Sequence, residues 1–359
     1  MAALGARESL AARYARALSV TPVEVPAELG RWAEVMAGHA RWLKGLGAET
    51  AGAFNRGCVD GGVRETIRVA EAFHEKQLSR IADTIAAREG ATRVVCVAGP
   101  SSSGKTTFIK RLKVQLQVNG LRPLELSLDD YYLDRDRIEP DASGVQDFEA
   151  IEALDLPLLR DHVRRLLIGE RLRTAKFDFL RGRGDPSGGR DLQLSPGTIL
   201  LVEGIHGLNT RLFDGAIPHD AAYRIFIQPM TSLRLDRLSR LNPSDLRLLR
   251  RIVRDRHTRG TNAESNILRW PSVRLGERTH IFPTIGQADV IFDTSLVYEV
   301  SVIKTYAERY LLEVPPSSAA YSTAVRLRLL IDHFVAIHAD HVPPTSILRE
   351  FIGESGFDY

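Results

Sequence analysis

Cysteine is nearly absent: the 359 residues contain two, Cys58 and Cys96. Two thiols make no disulfide scaffold, and no Cys–His spacing of a zinc site accompanies them. Cys96 lies inside the apolar run Val94–Ala98, which predicts a buried thiol. Long apolar stretches are also missing. None reaches the ~18 residues a spanning helix needs, so no membrane span is expected. Lysine is scarce, with seven among 48 basic residues, and an arginine excess of this kind reflects composition more than function. Net charge is only +3, which excludes a chain that binds nucleic acid through bulk charge. Internal repeats and low-complexity tracts are absent. The start, Met1 to Glu8, is interrupted by charge too early for a secretory signal, and Glu8 argues against an Arg-rich transit peptide. A reducing cytoplasm is the expected compartment.

What is present is ordinary globular material, 44% apolar and 26% charged. Residues 1–90 read as helical, from Leu10, Tyr14 and Leu18, from Trp32, Val35, Met36 and His39, and from an amphipathic stretch over Thr66–Ala87. No catalytic cluster occurs there, and His74 reads as a packing or surface histidine. From Thr92 strands alternate with helices. Strands are expected at Arg93–Ala98, Pro123–Leu128, Thr198–Val202, Tyr223–Ile227 and Ala288–Phe292, and helices at Lys105–Val118, Ile151–Ile168 and Pro243–Arg259. This alternation predicts an α/β fold, a parallel five-stranded sheet flanked by helices. A turn cluster, Asp185–Gly189, separates two short strand-like segments, and Asp134–Arg137 reads as a solvated loop. Helices return at Val297–Leu312, Ala319–Ala336 and Ile347–Ile352. Three parts result: a helical region 1–90, a core 91–295 and a helical extension 296–359. The extension can pack on the core or form a face for a homo-oligomer.

The strongest signal is Gly99-Pro100-Ser101-Ser102-Ser103-Gly104-Lys105-Thr106-Thr107. It matches G-x-x-x-x-G-K-[ST], entered by an apolar strand and left by an amphipathic helix, as a phosphate-binding P-loop requires. Glycines let successive N–H groups face a phosphate, and the helix N-terminus adds partial positive charge. Gly99, Ser101, Ser102, Ser103, Gly104, Lys105, Thr106 and Thr107 are therefore the nucleotide-binding candidates. Lys105 is placed for the β- and γ-phosphates, and Thr106 for Mg²⁺. A P-loop NTPase fold with helical N- and C-terminal extensions is expected, with ATP and Mg²⁺ as cofactors.

Other strand ends narrow the chemistry. Leu124–Leu128 ends in Asp129-Asp130-Tyr131-Tyr132, at the edge of a parallel sheet where ligands bind. Asp129 there can take a proton from an attacking hydroxyl, or can simply cap a turn. Ile199–Val202 ends in Glu203, a second Mg²⁺-directed carboxylate or an ordinary strand-ending acid. In the helix from Pro243, Arg247, Arg251, Arg254 and Thr258 share one face, flanked by Arg250, opposite Leu248, Leu249, Ile252 and Val253. Such a strip can close over polyphosphate as a lid, or contact nucleic acid. No stacking aromatics interleave it, which disfavours nucleic acid. The nearest guanine-reading string, Ala175–Asp178, lacks its first Asn or Thr. His206 can line the site or support it, and Trp270 reads as a packed residue.

These motifs, together with Asp147-Phe148-Glu149, Phe177-Asp178-Phe179, Glu203–His206 and Arg250–Asp255, resemble the uridine kinase/phosphoribulokinase family from about Ala91 to Phe292. The likeness is strongest to the kinase half of longer bacterial nucleoside kinases that carry a threonyl-tRNA-synthetase-like N-terminal region, most of which this chain lacks. Arg68–Lys76 and Ser346–Gly353 resemble segments of those proteins too. The resemblance implies that Asp129 is the catalytic Asp, that Tyr132 lines a nucleoside pocket, and that Glu149 holds ribose hydroxyls in place of the usual Asp. It implies that Arg251 and Arg254 are lid and substrate arginines. Phe177 and Gly182 stand where shorter uridine kinases carry a Tyr and a His that read the pyrimidine, so those donors are absent.

An ATP-dependent, Mg²⁺-requiring kinase is the expected activity. Its acceptor is a primary hydroxyl, with the 5′-hydroxyl of a nucleoside leading. The catalytic candidates are Lys105, Asp129, Arg251 and Arg254. Asp129, Tyr132, Glu149, Phe177 and Arg251 are the acceptor candidates, and Thr106, Asp129 and Glu203 the metal candidates. A kinase of another sugar, polyol or sugar phosphate, and a nucleotide-regulated module binding RNA or protein, remain the alternatives.

Overall fold

The computed structural model describes residues 27–88, 90–139, 146–179, 181–218, 221–236 and 239–358. The Leu10–Tyr14–Leu18 repeat lies outside them. Five strands rich in Val, Ile and Leu form one parallel sheet. They are β1 (Val94–Ala98), β2 (Arg122–Ser127), β7 (Thr198–Glu203), β8 (Ala222–Gln228) and β9 (Val290–Asp293), in the order β2-β7-β1-β8-β9. Every residue of β1 is fully buried, because both sheet faces are covered. Two small antiparallel pairs stand outside this sheet: β3 (Leu172–Arg173) with β6 (Asp191–Leu192), and β4 (Lys176–Asp178) with β5 (Arg183–Asp185). The turn cluster at Asp185–Gly189 leads from β5 into β6, as expected.

Alternation along β1 divides the core. Val95 and Val97 face Phe108, Ile109 and Ile225, and the same cluster takes in Ile67, Leu78 and Ile85 of α3 (Val63–Ala86). It also includes Ile252 and Val253 of α6 (Pro243–Thr258) and Ile303 of α8 (Glu299–Leu312), and it reaches Ile347 and Phe351. Val94 and Cys96 face the other way, against Leu126, Leu200, Val202 and Leu159 of α5 (Leu156–Leu167). Each such side chain contributes roughly 1.5–3 kcal/mol when fully buried. Residues from the N-terminal and C-terminal helical regions thus share one core with the sheet. His74 of α3 is buried there, with Nε2 3.0 Å from Ser295 O, and burial lowers its pKa to about 3. It is a packing histidine. Cys96 is the buried thiol the sequence suggested, and burial pushes its pKa up to about 12.

Helix α4 (Lys105–Val118) and helix α6 begin where expected. Asn242 caps α6 through its side-chain oxygen, which accepts from Ser244 N at 2.9 Å, and Pro243 opens the first turn. Three expected helices are shorter. Ile151–Ile168 breaks into a 3-10 turn at Ile151–Ala153 followed by α5, because Asp155 caps Leu158 N and Pro157 has no N–H to bond Ala153 O in a continuous helix. Ala319–Ala336 contracts to α9 (Tyr321–Asp332), and Ile347–Ile352 to α10 (Arg349–Ile352) after turns. Among the described residues, no helix is long and apolar enough to cross a membrane.

Candidate active site

The phosphate loop occupies the turn from β1 into α4. A Cβ at Gly99 would fall 2.1 Å from Ile227 O, so only glycine fits there. Ser102 and Gly104 adopt positive φ, 58° and 93°, which curls the loop backbone. Lys105 Nζ donates to Gly99 O at 2.8 Å and Pro100 O at 3.2 Å, so its ammonium sits on the loop. Thr107 gives both its N–H and its hydroxyl to the Glu350 carboxylate.

Sheet register assembles the acids. Ser127 at the end of β2 pairs with Glu203 at the end of β7, and Val97 of β1 pairs with the same Glu203. Ser127 Oγ donates to Glu203 Oε1 at 2.9 Å and accepts from Asp129 N at 3.3 Å. Thr106, Ser127, Asp130 and Glu203 line one cavity of 580 Å³ together with Arg190 and with Lys176, whose Nζ lies 3.0 Å from Asp130 Oδ1. Burial raises the Glu203 pKa to about 7, and the Asp129 charge adds to the rise while Lys105 opposes it. Asp129 is exposed on one side yet crowded by protein on the other. That crowding raises its pKa, Lys105 opposes it, and Asp130 reinforces it. Two carboxylates held this close to an ammonium and a hydroxyl suit a cation shared with phosphate. Among the described residues, no three His, Cys, Asp or Glu side chains form a ready metal cage.

The arginine strip of α6 is divided, contrary to the sequence reading. Arg247 and Arg250 are fully buried and brace the loop from below. Arg247 forms a two-pronged pair with Glu277 and donates to Ser101 O at 3.1 Å. Arg250 pairs with Glu299 at 2.7 Å and donates to Ser103 O at 3.3 Å. Helix α6 is enclosed on more than its leucine face, because buried carboxylates on Glu277 and Glu299 neutralise those guanidiniums. Arg251 and Arg254 are only partly buried. Arg251 bridges Asn266 Oδ1 at 2.9 Å and Ser101 Oγ at 3.0 Å. Arg254 is held by Asp255 at 2.7 Å, and Arg251 also reaches that carboxylate at 3.4 Å. Trp270 packs as expected, its Nε1 donating to Ser244 Oγ at 3.0 Å.

Beside Asp129 an aromatic cluster forms. Tyr132, Phe177 and Phe179 stand 5.0–6.1 Å apart between ring centroids. They wall a 460 Å³ pocket that Glu149 and Arg135 also line. Burial raises the Glu149 pKa, Glu277 adds to the rise, and Lys105 and Arg251 oppose it. Gly276 makes room for Glu149, since a Cβ there would lie 2.9 Å from Glu149 Cβ. Gly182 has φ 68°, and a Cβ there would lie 2.5 Å from Arg135 Cδ. Arg135 thus fills the space a side chain at 182 would need, and its Nη2 donates to Phe179 O at 2.6 Å. The Asp134–Arg137 run is solvated as expected, with 135–137 exposed, and is also tied to the neighbouring hairpin. Asp134 Oδ1 accepts from Gly184 N at 2.8 Å, and Arg183 pairs with Asp136 at 3.2 Å, which clasps the β4–β5 hairpin. His206 is buried near the 149–150 backbone and meets His280 edge-on, with its pKa lowered to about 4 by burial.

Sequence reasoning missed Ser127, Arg135, Asp255, Asn266 and Glu350. Ser127 was findable, since it ends the same strand two residues before Asp129. Asp255 was findable as well, four residues after Arg251 on the same helix, whereas Arg135, Asn266 and Glu350 meet the site through contacts that no spacing encodes.

The Phosphoribulokinase / Uridine kinase family profile matches residues 94–301. A uridine kinase of Deinococcus deserti is 30% identical over 199 residues, 55% of this chain and 86% of that protein. A uridine kinase of Brevibacillus brevis is 28% identical over 199 residues, 55% of this chain and 83% of that protein. The solved phosphoribulokinase of Rhodobacter spheroides superimposes with a TM-score of 0.37 at 22% identity, covering 57% of this chain and 70% of its own. On the family match, with the phosphate loop and the acid pair at the end of the same sheet, the chain belongs to the phosphoribulokinase/uridine kinase family and is an ATP-dependent phosphotransferase.

Proposed function

We propose that the chain transfers the γ-phosphoryl group of ATP to a primary hydroxyl of a small molecule, the 5′-hydroxyl of a nucleoside. The observation that carries this reading is the pocket of Tyr132, Phe177 and Phe179, which has Glu149 in its wall and whose Tyr132 feels the Asp129 charge. Aromatic faces suit a flat heterocycle. A carboxylate at Glu149 can accept two hydroxyl donors, as a ribose offers. Asp129 is the acceptor of the hydroxyl proton. Its raised pKa favours holding that proton once taken.

Lys105 and the loop N–H groups bind the phosphates in this reading. Thr106, Asp129 and Glu203 would hold Mg²⁺, which would supply neutralisation of the phosphate charge. Arg251 and Arg254 cover the transferring group from the lid. Arg251 stands already over Ser101 of the loop, and Arg254 shares its Asp255 anchor. A second reading, a sugar or sugar-phosphate acceptor, draws on Arg135. Its guanidinium carries only donors and lines the same pocket.

The deciding experiment is an ADP-release assay with Mg·ATP, offering nucleosides, pentoses, polyols and sugar phosphates in turn. Stimulation by a nucleoside, falling about 10²–10⁴-fold in Asp129→Asn, is the expected result. Turnover of non-nucleosides alone would keep the phosphoryl transfer and discard the nucleoside.

A further inference from the structure

The segment 346–352 lies over the phosphate loop and places a carboxylate on it. Ile347 is fully buried, and its Cγ2 lies 2.6 Å from where a Cβ on Gly104 would stand. The Phe351 ring lies 5.0 Å from the guanidinium carbon of Arg250, the residue that also holds Ser103 O. Between these contacts, Glu350 Oε2 accepts from Thr107 N at 3.0 Å and from Thr107 Oγ1 at 2.8 Å. The Thr107 N–H belongs to the first turn of α4, whose N–H groups have no partner within the helix. An N–H and a hydroxyl at the head of a helix that follows a glycine loop suit an anionic oxygen. In this chain that oxygen comes from a residue 243 positions away.

The carboxylate also stands within reach of the catalytic acids, because the Glu350 charge contributes to the raised Glu203 pKa. A nucleotide entering this loop brings several negative charges to the same place. It must compete for the Thr107 donors and meets a like charge at close range in a partly dry cleft.

We propose that Glu350 is an internal stand-in for a nucleotide phosphate oxygen. Nucleotide binding displaces it from Thr107 and loosens segment 346–352 from the loop. The built-in competitor sets the nucleotide affinity below what the loop alone would give, and the position of the segment reports whether the loop is filled. This inference rests on the loop binding a nucleotide and not on the identity of the phosphate acceptor. Its test therefore uses nucleotide alone and is untouched if the acceptor is not a nucleoside.

The full chain is titrated with Mg·ADP by calorimetry, as wild type and as Glu350→Gln. Glutamine keeps the size and one accepting oxygen for Thr107 but removes the charge. The variant is expected to bind Mg·ADP about tenfold tighter at low ionic strength, with the gap shrinking as salt rises. Adenosine, which has no phosphate, is expected to bind both forms equally. Amide hydrogen exchange is followed on the wild-type chain in parallel. Faster exchange across residues 346–352 on saturation with Mg·ADP supports displacement. Unchanged or slower exchange there overturns the proposal whatever the variant does, so a variant that fails to fold leaves the question decidable. Equal or weaker Mg·ADP binding by a folded Glu350→Gln chain overturns it as well.

Discussion

Ser127 Oγ donates to Glu203 Oε1 at 2.9 Å across the paired ends of β2 and β7, and the same oxygen accepts the Asp129 N–H at 3.3 Å. One hydroxyl therefore ties the Glu203 carboxylate to the backbone that carries Asp129. It favours the ionised form of Glu203, against the burial that disfavours it. Ser127→Ala is expected to move the acid limb of the kcat profile to higher pH and to lower kcat at neutral pH about tenfold, a loss close to one charged hydrogen bond. A pH profile that coincides with wild type would remove Ser127 from the machinery.

Glu203 titrates at about 7 in the folded chain, against 4.5 for an ordinary glutamate. Between those values the folded state binds more protons than the unfolded one. Stability of the nucleotide-free chain therefore falls as pH rises from about 4.5 to about 7. Asp129, also raised, acts in the same direction. Melting temperatures measured across this window are expected to decline, and Glu203→Gln to flatten the decline. An unaltered slope in the variant would assign the pH dependence elsewhere.

Arg250 and Glu299 are both fully buried and 2.7 Å apart. Removing one partner strands a charge in the core. Arg250→Met is expected to cost about 3–5 kcal/mol, and Arg250→Met with Glu299→Leu to recover most of it. Urea unfolding of wild type, these two variants and Glu299→Leu alone measures this as a double-mutant cycle. Additive losses would show that the pair is not coupled.

Arg251 uses a planar fork to reach Asn266 and Ser101 at once. Lysine has one nitrogen and cannot span both. Arg251→Lys is expected to lower kcat about 10–100-fold while the melting temperature stays near wild type. Loss of stability with kcat intact would make Arg251 a structural brace like Arg247.

Gly182 keeps its place open for Arg135. Gly182→Ala adds a Cβ 2.5 Å from Arg135 Cδ at a positive φ. Strain of about 1 kcal/mol and eviction of the guanidinium are expected. The acceptor KM should rise severalfold while the ATP KM holds. A change confined to ATP would place Arg135 outside the acceptor pocket.

Local chemistry made much of this molecule legible. The loop Gly99–Thr107 needs its glycines, its lysine and its flanking strand and helix in contiguous sequence, so a string of letters carries it. The five strands were readable because a sheet covered on both faces demands unbroken apolar runs. Asp129 and Glu203 were readable because strand ends are local features. The helix at 151 was misread because periodicity continues past a break that Asp155 and Pro157 impose.

The arginines of α6 show where local reading stops. Spacing placed Arg247, Arg251 and Arg254 on one face, and all are on α6. Only the tertiary structure assigned them different work, because Glu277 and Glu299 lie elsewhere in the chain and neutralise Arg247 and Arg250 in the core. Gly182 could be seen to lack a side chain, yet the sequence could not say that Arg135 fills the gap. Glu350 could be seen to follow an apolar stretch, yet not that it rests on Thr107. By itself the sequence determined a parallel sheet, a phosphate loop and two acids at its edge, since each depends on neighbours in the chain. Which charges are buried in pairs, which remain partly exposed and what already sits on the loop were decided by packing, since a charge is set by what surrounds it in space.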